Sequence, residues 1–366
     1  MLTWNNNVGG EIELSVEDVY NGEQDEIYFK LMPTMGINGM VGFPICGIAL
    51  KKNTPFMKNV YYANTTNDKQ KMDIYIPKNA DGTYKAGPFP VVITIHGGGW
   101  CGGDKATSHY HNNTDNNNDM SDFITNTCNC VHVNMNYRLT TGDPSNNGIT
   151  YVQMLEDIQS VISYLQNHTN VYHITPEKIA LMGYSAGGHL ALLYAYSTAD
   201  NYTNPNDNPT KLVISEAGPT YFTKNILENL PPKQRNEVLA MVGAMTVENS
   251  VTKLEEVSPY TYATSASPYT ILIYGGTDLD EDDIIDPDSN DTMIPYSQGD
   301  DLHKRLSPVG TTANSRLFSF EYPYTHESFG EDRDMNEDNI VDPGINPSNL
   351  NFAGYYGMIE NKLKNL

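Results

Sequence analysis

The sequence predicts an α/β fold with a mostly parallel central sheet and helices on both faces. Short runs of apolar, β-branched residues alternate with longer segments in which apolar residues recur at helical spacing. The run at 89–95, "FPVVITI", is of the kind that is buried on both faces of a parallel sheet. Strands that alternate with helices in this way indicate a doubly wound architecture.

The predicted elements follow one another along the chain from residue 58 onward. Strands are predicted, in this order, in "NVYYA", "KMDIYIP", "FPVVITI", "CVHVNMNYRL", "EKIALMGYS", "KLVISEAGP", "YTILIYGGTD" and "LFSFEYP". Helices are predicted at 151–168 and 186–198. The segment 220–265 interrupts this alternation of strands and helices with an amphipathic, mostly helical insert. We predict that it forms a short lid, because an insert at this point lies over the carboxyl edge of the sheet, where ligands bind.

Two regions of the chain differ in character. Residues 1–55 contain short mixed segments rich in glycine and proline, which favour turns, and we predict that they form an extension packed on the main domain. A chain of 366 residues can bury a large core and suits either one large domain with additions or two modest domains. We predict that residues 56–366 form one domain.

Charge and composition argue against several classes of protein. The formal net charge is -23, so no nucleic-acid partner is expected, because acidic side chains repel the phosphate backbone. No apolar run approaches the roughly 20 residues that span a bilayer, so stable membrane insertion is not expected. The N-terminus lacks a signal-peptide pattern, but an Asn- and Tyr-rich, Lys-poor composition favours a secreted or cell-surface location over a cytoplasmic one.

The stretch "IALMGYSAGGHLALL" passes from a strand pattern into a helix pattern through Gly-Tyr-Ser-Ala-Gly at 183–187. A strand, then Gly-x-Ser-x-Gly, then a helix is the context of a nucleophile elbow, in which the glycines allow a sharp turn that exposes the serine hydroxyl. The pentapeptide alone also fits a small residue at a close contact between a strand and a helix. The context favours Ser185 as a nucleophile.

A run of glycines follows the strand "VVITI", in "HGGGW" at 96–100. Backbone N–H groups can approach an oxyanion only where no side chain intervenes. Gly98 and Gly99, together with Ala186 after the candidate nucleophile, are therefore predicted to form an oxyanion hole. A phosphate-binding loop is the alternative, but no Lys-Ser/Thr follows and the spacing is not Gly-x-Gly-x-x-Gly.

The chain resembles the α/β-hydrolase superfamily in the motifs that it contains and in their order. These motifs are "HGGGWCGGDK", "NYRL", "LEDI", "GYSAGGHLALL" and "GGTD". More narrowly, the chain is similar to the HGGG-type esterase/lipase branch, which includes carboxylesterases, hormone-sensitive-lipase-like enzymes and bacterial acetyl- or feruloyl-esterases. The resemblance covers residues 56 to about 335. It implies the α/β-hydrolase fold, with 56–366 as the catalytic domain, and ester hydrolysis that needs no cofactor for its chemistry.

The resemblance also implies a catalytic triad in the chain order serine, acid, histidine. His326 follows the last predicted strand, where this family carries its base, while His96 and His189 are predicted to hydrogen-bond backbone instead. Two residues are candidates for the acid. Asp278 follows its strand at the spacing that is usual for the catalytic acid in this family. Asp291 instead precedes an Ile-Pro pair at the spacing that is usual before the family's Val-Pro pair. An acidic insertion separates them, and position along the strand favours Asp278.

Two acidic segments, 278–291 and 331–342, share a pattern of Asp-x-Asp-x-(Asp/Asn) followed by Ile-(Ile/Val)-Asp-Pro. Oxygen ligands at alternate positions can converge on a hard cation, as in the first half of an EF-hand loop, although the glycine and glutamate that complete an EF-hand are missing. Two solvated acidic loops are the alternative. We predict a structural calcium ion with ligands among Asp280, Asp282, Asp286, Asp332, Asp334, Asn336, Asp338 and Asp342.

Together these residues predict a serine esterase that acts through an acyl-enzyme on a small ester or an acylated carbohydrate. A lipase is an alternative, but the predicted lid is short and no broad apolar surface for a lipid interface is evident. A serine peptidase or amidase would use the same triad. A non-catalytic binding protein on a hydrolase fold also stays open, since fold alone never establishes function.

Overall fold

The structure is a computed structural model, and it describes residues 2–6, 10–14, 28–32, 45–49, 57–106, 120–146, 148–202, 207–264, 266–275, 293–308, 313–320 and 351–366. Within these ranges, no helix combines the length and the apolar character that crossing a membrane requires.

The strands in these ranges are β1 (Leu2–Asn6), β2 (Gly10–Leu14), β3 (Tyr28–Met32), β4 (Ile45–Ala49), β5 (Met57–Tyr61), β6 (Lys71–Tyr75), β7 (Phe89–Ile95), β8 (Val131–Met135), β9 (Ile174–Tyr184), β10 (Thr210–Glu216), β11 (Tyr269–Gly275) and β12 (Ser315–Phe320). The helices are α1 (Met120–Asp122), α2 (Tyr151–Asn167), α3 (Thr169–Tyr172), α4 (Ala186–Ser197), α5 (Lys224–Asn229), α6 (Pro232–Val242), α7 (Val247–Glu256), α8 (Pro259–Tyr262), α9 (Tyr296–Leu306) and α10 (Asn351–Lys364). A π-helical turn at Phe123–Thr127 continues α1, and a 3-10 turn at Ala199–Asn201 follows α4.

Eight of the strands form one sheet in the order β12-β11-β10-β9-β7-β8-β6-β5. Neighbouring strands from β8 to β12 are parallel, whereas β6 is antiparallel to both β8 and β5. This arrangement confirms the predicted mostly parallel sheet. The carboxyl ends of the parallel strands meet at one edge, and both the glycine run after β7 and the candidate nucleophile after β9 lie at that edge.

The N-terminal segment contains strands that the sequence pattern did not predict. β1 pairs with β2, and β3 pairs with β4, each as an antiparallel pair outside the main sheet. The packing of residues 1–55 on the main domain stays a prediction.

The two faces of the main sheet bury separate apolar layers, because side chains alternate along each strand. In β7, Val91, Ile93 and Ile95 belong to one layer and Val92 belongs to the other. The first layer also contains apolar residues of α2, α4 and α9, while the second contains residues of α1, the π-helical turn and α10. Helices therefore cover both faces, as predicted. Each large apolar side chain buried in this way contributes about 1.5–3 kcal/mol.

A buried ion pair fixes the loop that follows the glycine run. Lys105 Nζ lies 2.9 Å from an oxygen of Asp73 in β6, and the two side chains are 3% and 0% exposed. Lys105 Nζ also donates to Asn59 Oδ1 at 2.8 Å, and the Lys105 N–H donates to Asn136 Oδ1 at 2.6 Å. The loop is thereby attached to β6 and to the residue that follows β8, which restrains the glycine run before it.

We predict that Lys105→Met lowers the free energy of unfolding by about 3–5 kcal/mol, because it leaves the Asp73 carboxylate buried without its cation. Lys224→Met is the matched control, since Lys224 and Glu228 form an ion pair with side chains that are 48% and 50% exposed. An exposed pair is worth at most about 1 kcal/mol. Urea denaturation of both variants measures the difference. Equal losses in the two variants would contradict a stabilising role for the buried pair.

Candidate active site

Ser185 forms the turn between β9 and α4. Its backbone angles are φ 52° and ψ -120°, a combination that costs a non-glycine residue about 1–3 kcal/mol. Two backbone hydrogen bonds hold this turn. The Ser185 N–H donates to Glu216 O at 2.8 Å, and Ser185 O accepts from the His189 N–H at 2.9 Å. A strained serine between a strand and a helix is the geometry of a nucleophile elbow.

The glycines on either side of Ser185 let α4 cross the sheet at very short range. A Cβ on Gly183 would lie 2.3 Å from Gly187 O. A Cβ on Gly187 would lie 2.0 Å from Ile95 O at the end of β7. Since Cβ atoms do not approach backbone oxygens this closely, only glycine fits at either position without moving the backbone. The Gly-x-Ser-x-Gly pattern is therefore a requirement of this crossing.

The loop after β7 takes three successive residues into the positive-φ region. The φ angles are 115° for Gly98, 57° for Gly99 and 60° for Trp100. A Cβ on Gly98 would lie 2.5 Å from Gly102 O, inside a tight turn in which the Gly102 N–H donates to Gly98 O at 2.8 Å. Glycine is required at 98, whereas Trp100 adopts its conformation in spite of its side chain.

The glycine run at 96–100 forms the glycine loop, which is in direct contact with the nucleophile elbow. A Cβ on Gly97 would lie 2.8 Å from the ring of Tyr184, and β7 and β9 are paired up to Ile95 and Gly183. Ala186 is the first residue of α4, and the first N–H groups of a helix have no partner within it. The structure therefore brings together, at one edge of the sheet, the predicted residues Ser185, Ala186, Gly98 and Gly99.

Helices α5, α6, α7 and α8 lie within the segment 220–265, and α6 reaches the glycine loop. Glu237 of α6 lies so close that a Cβ on Gly99 would be 2.8 Å from Glu237 Oε2. The Cys101 thiol lies 3.7 Å from Glu237 Oε1, and burial raises the pKa of the Glu237 carboxyl. Glu237 could not be identified from the sequence, because nothing in the pattern around it distinguishes it from a solvated helix residue. A lid function for this segment stays a prediction.

His96 and His189 both contact backbone oxygens, as predicted. His96 Nδ1 lies 2.8 Å from Gly97 O, and His189 Nε2 lies 2.7 Å from Val257 O. Burial lowers the pKa of each imidazole to about 4, so both rings are neutral at pH 7. A general base works best with a pKa near the working pH, so neither ring is suited to that role.

The remaining predicted site residues lie outside the described residues. They are the base His326, the alternative acids Asp278 and Asp291, and the calcium ligands Asp280, Asp282, Asp286, Asp332, Asp334, Asn336, Asp338 and Asp342. Within the part of the chain that the structure describes, no group of three or more His, Cys, Asp or Glu side chains could hold a metal ion. The triad partners and the calcium ligands stay predictions.

A strained serine between a strand and a helix, a glycine loop beside it and a mostly parallel eight-stranded sheet together define an α/β-hydrolase fold. Residues 72–306 match the BD-FAE family. The chain belongs to this family, and the matched region contains the glycine loop, the elbow and the segment 220–265. The resemblance predicted from the sequence motifs is confirmed.

Relatives and solved structures agree with this assignment. The chain is 32% identical over 141 residues to versiconal hemiacetal acetate esterase of Dothistroma septosporum, covering 38% of the chain and 37% of that protein. It is 23% identical over 247 residues to probable carboxylic ester hydrolase LipM of Mycobacterium tuberculosis, covering 66% of the chain and 50% of that protein. A truncated carbohydrate esterase from gut microbiota superposes with a TM-score of 0.54 at 14% identity, covering 86% of the chain and 98% of that structure. The chain thus spans half or less of the length of these two relatives, and the structural likeness shows the fold alone.

We predict that Gly98→Ala lowers kcat/KM for a short-chain ester by about 100-fold or more, the effect of losing an oxyanion donor. The new Cβ would force the loop to move, because it would lie 2.5 Å from a backbone oxygen at a φ of 115°. Gly102→Ala is the matched control in the same loop, since its Cβ would lie 3.4 Å from Gly98 O. Steady-state kinetics of both variants makes the comparison. A fully active Gly98→Ala variant would show that this N–H does not stabilise the transition state.

Proposed function

We propose that this protein is a serine hydrolase of carboxylic esters that acts through an acyl-enzyme. The observation that carries the proposal is the strained Ser185 turn in contact with a loop in which Gly98 and Gly99 have positive φ angles and carry no side chains. A packing role for Ser185 does not require a φ of 52°, whereas exposing a nucleophile at the start of a helix does.

In the proposed first half-reaction, Ser185 Oγ attacks the ester carbonyl and His326 takes the hydroxyl proton. The tetrahedral intermediate places its negative charge on the former carbonyl oxygen, which accepts hydrogen bonds from Gly98, Gly99 and Ala186. The intermediate collapses, His326 donates its proton to the leaving alcohol, and Ser185 is left acylated. In the second half-reaction water attacks the acyl group with His326 as base, which releases the carboxylic acid.

The geometry supports Ala186 as the donor on the nucleophile side. The Ser185 N–H is already engaged by Glu216 O at 2.8 Å, so it does not face an oxyanion. The next N–H, of Ala186, begins α4 and is free of intrahelical bonding. The positive end of the helix dipole lies at the same place and favours developing negative charge. Asp278, or Asp291 as its rival, would orient the His326 ring and support the imidazolium.

The substrate that we propose is a small or carbohydrate-linked acyl ester. Two relatives are named as an acetate esterase and a carboxylic ester hydrolase, and a protein of similar fold is named as a carbohydrate esterase. The net charge of -23 disfavours strongly anionic substrates through long-range repulsion. A peptidase or amidase remains the second candidate, since the same residues would cleave an activated amide. A secreted or cell-surface location remains part of the proposal.

We predict that wild-type protein hydrolyses p-nitrophenyl acetate and butyrate and that Ser185→Ala loses the activity by a factor of about 10⁴ or more, as removal of a serine nucleophile does. A panel of acetyl, butyryl, octanoyl and feruloyl esters, with a p-nitroanilide for amidase activity, measures the acyl preference. Ser185→Ala with wild-type activity would overturn the mechanism. Hydrolysis of the anilide at a rate above that of the esters would favour the peptidase alternative.

Calcium at the acidic segments 278–291 and 331–342 is a separate proposal that rests on their repeated sequence pattern. A bound structural ion stabilises the folded state by mass action. We therefore predict that a chelator lowers the melting temperature and that added calcium, but not added magnesium, restores it. An unchanged melting temperature after chelation would count against a bound structural calcium ion.

A further inference from the structure

Trp100 is held in a backbone conformation that its own side chain disfavours. Its φ of 60° costs a bulky residue about 1–2 kcal/mol, so other contacts must hold it there. The indole is buried, and its Nε1–H donates to His189 Nδ1 at 3.1 Å. The Trp100 ring also meets the rings of His189 and Phe222 edge-on, with centroids 5.3 Å and 6.0 Å away. The end of the glycine loop is therefore anchored through one side chain.

The two partners of His189 dictate its tautomer. The Trp100 indole can only donate, so His189 Nδ1 must accept. The backbone oxygen of Val257 can only accept, so His189 Nε2 must carry the proton that it donates across 2.7 Å. The depressed pKa of the buried ring keeps this neutral form at all pH values well above 4. Both nitrogens are thus committed to fixed partners.

The position of His189 joins the two halves of the candidate site. His189 lies one helical turn after Ser185 in α4, and its N–H donates to Ser185 O at 2.9 Å. Its ring holds Trp100, the residue directly after Gly99. Its other nitrogen holds Val257, which follows α7 in the segment 220–265. One residue therefore contacts all three parts: its backbone N–H bonds the nucleophile turn, and its ring joins the glycine loop to the segment 220–265.

We propose that Trp100 and His189 are positioning residues for ester hydrolysis, which fix the distance between Ser185 and the N–H groups of the glycine loop. The hydrogen-bonded chain from Trp100 through His189 to Val257 O is called here the imidazole bridge. The proposal rests on the proposed esterase function. Oxyanion donors act only when they lie about 2.7–3.1 Å from the oxygen that becomes charged. A small displacement of the loop therefore weakens its hydrogen bonds to the transition state and leaves substrate binding intact.

The test breaks each hydrogen bond of the imidazole bridge while keeping apolar bulk. Trp100→Phe removes the donor, and His189→Leu removes both ring nitrogens. We expect kcat for p-nitrophenyl butyrate to fall by about 10- to 100-fold in each variant, with KM changed by less than about threefold. A butyl trifluoromethyl ketone, which forms a tetrahedral adduct with a nucleophilic serine, should lose affinity by the same factor as kcat/KM. His189→Gln retains a donor and an acceptor, and it should recover about tenfold over His189→Leu.

His168→Leu is the matched control. His168 also bonds a backbone oxygen, that of Tyr164 at 2.7 Å, and stacks on an aromatic ring, but it lies at the end of α2, and neither contact involves the glycine loop or the nucleophile turn. It should keep the kcat and the ketone affinity of the wild type. Circular dichroism corrects each rate for the folded fraction, so a variant that folds poorly is not counted as a slow enzyme.

The outcomes separate the two proposals. Parallel losses of kcat and ketone affinity per folded molecule, with recovery in His189→Gln, support the imidazole bridge. Unchanged kcat per folded molecule in Trp100→Phe and His189→Leu would overturn it, as would an equal loss in His168→Leu. A wild-type protein that neither hydrolyses esters nor binds the ketone would overturn the esterase proposal itself, and the bridge with it.

Discussion

The close crossing of α4 over the ends of β7 and β9 is the constraint on which the candidate site depends. A helix can approach the two strands this closely only if Gly183 and Gly187 carry no side chains, because a Cβ at either position would lie 2.3 Å or less from backbone oxygen. The connecting residue, Ser185, has a positive φ of 52°. A strained serine at this crossing, between a strand and a helix, is the geometry of a nucleophile elbow.

The same edge of the sheet is held together by polar groups that the apolar core cannot provide. The two apolar layers fix the strands and helices, but the loops beyond the strand ends carry unpaired backbone groups and must be held by specific partners. Lys105 with Asp73 holds the loop that follows the glycine run, and Trp100 with His189 holds the end of the glycine run itself. A rigid loop matters here because N–H groups that are already in position need no reorganisation when charge develops.

The main sheet and half of the candidate site could be predicted from the sequence, because both follow from local patterns. Alternating apolar runs predict strand and helix order, and Gly-x-Ser-x-Gly between a strand and a helix predicts a sharp turn. The pairing of Trp100 with His189 could not be predicted, since the two residues are 89 positions apart and neither motif in which they lie indicates a side-chain partner. Glu237 could not be predicted either, because its contact with the glycine loop joins distant parts of the chain. The N-terminal strand pairs β1–β2 and β3–β4 could not be predicted, because their short mixed segments lack a clear hydrophobic periodicity.

Covalent labelling tests whether Ser185 is a nucleophile. The folded protein would be incubated with an excess of an alkyl fluorophosphonate, and the adduct would be located by mass spectrometry of the intact chain and of its peptides. We expect one phosphonyl group per chain, on Ser185, because phosphorus takes the place of the attacked carbonyl carbon and fluoride leaves. A folded chain that stays unlabelled, or that carries its adduct on another residue, would contradict it.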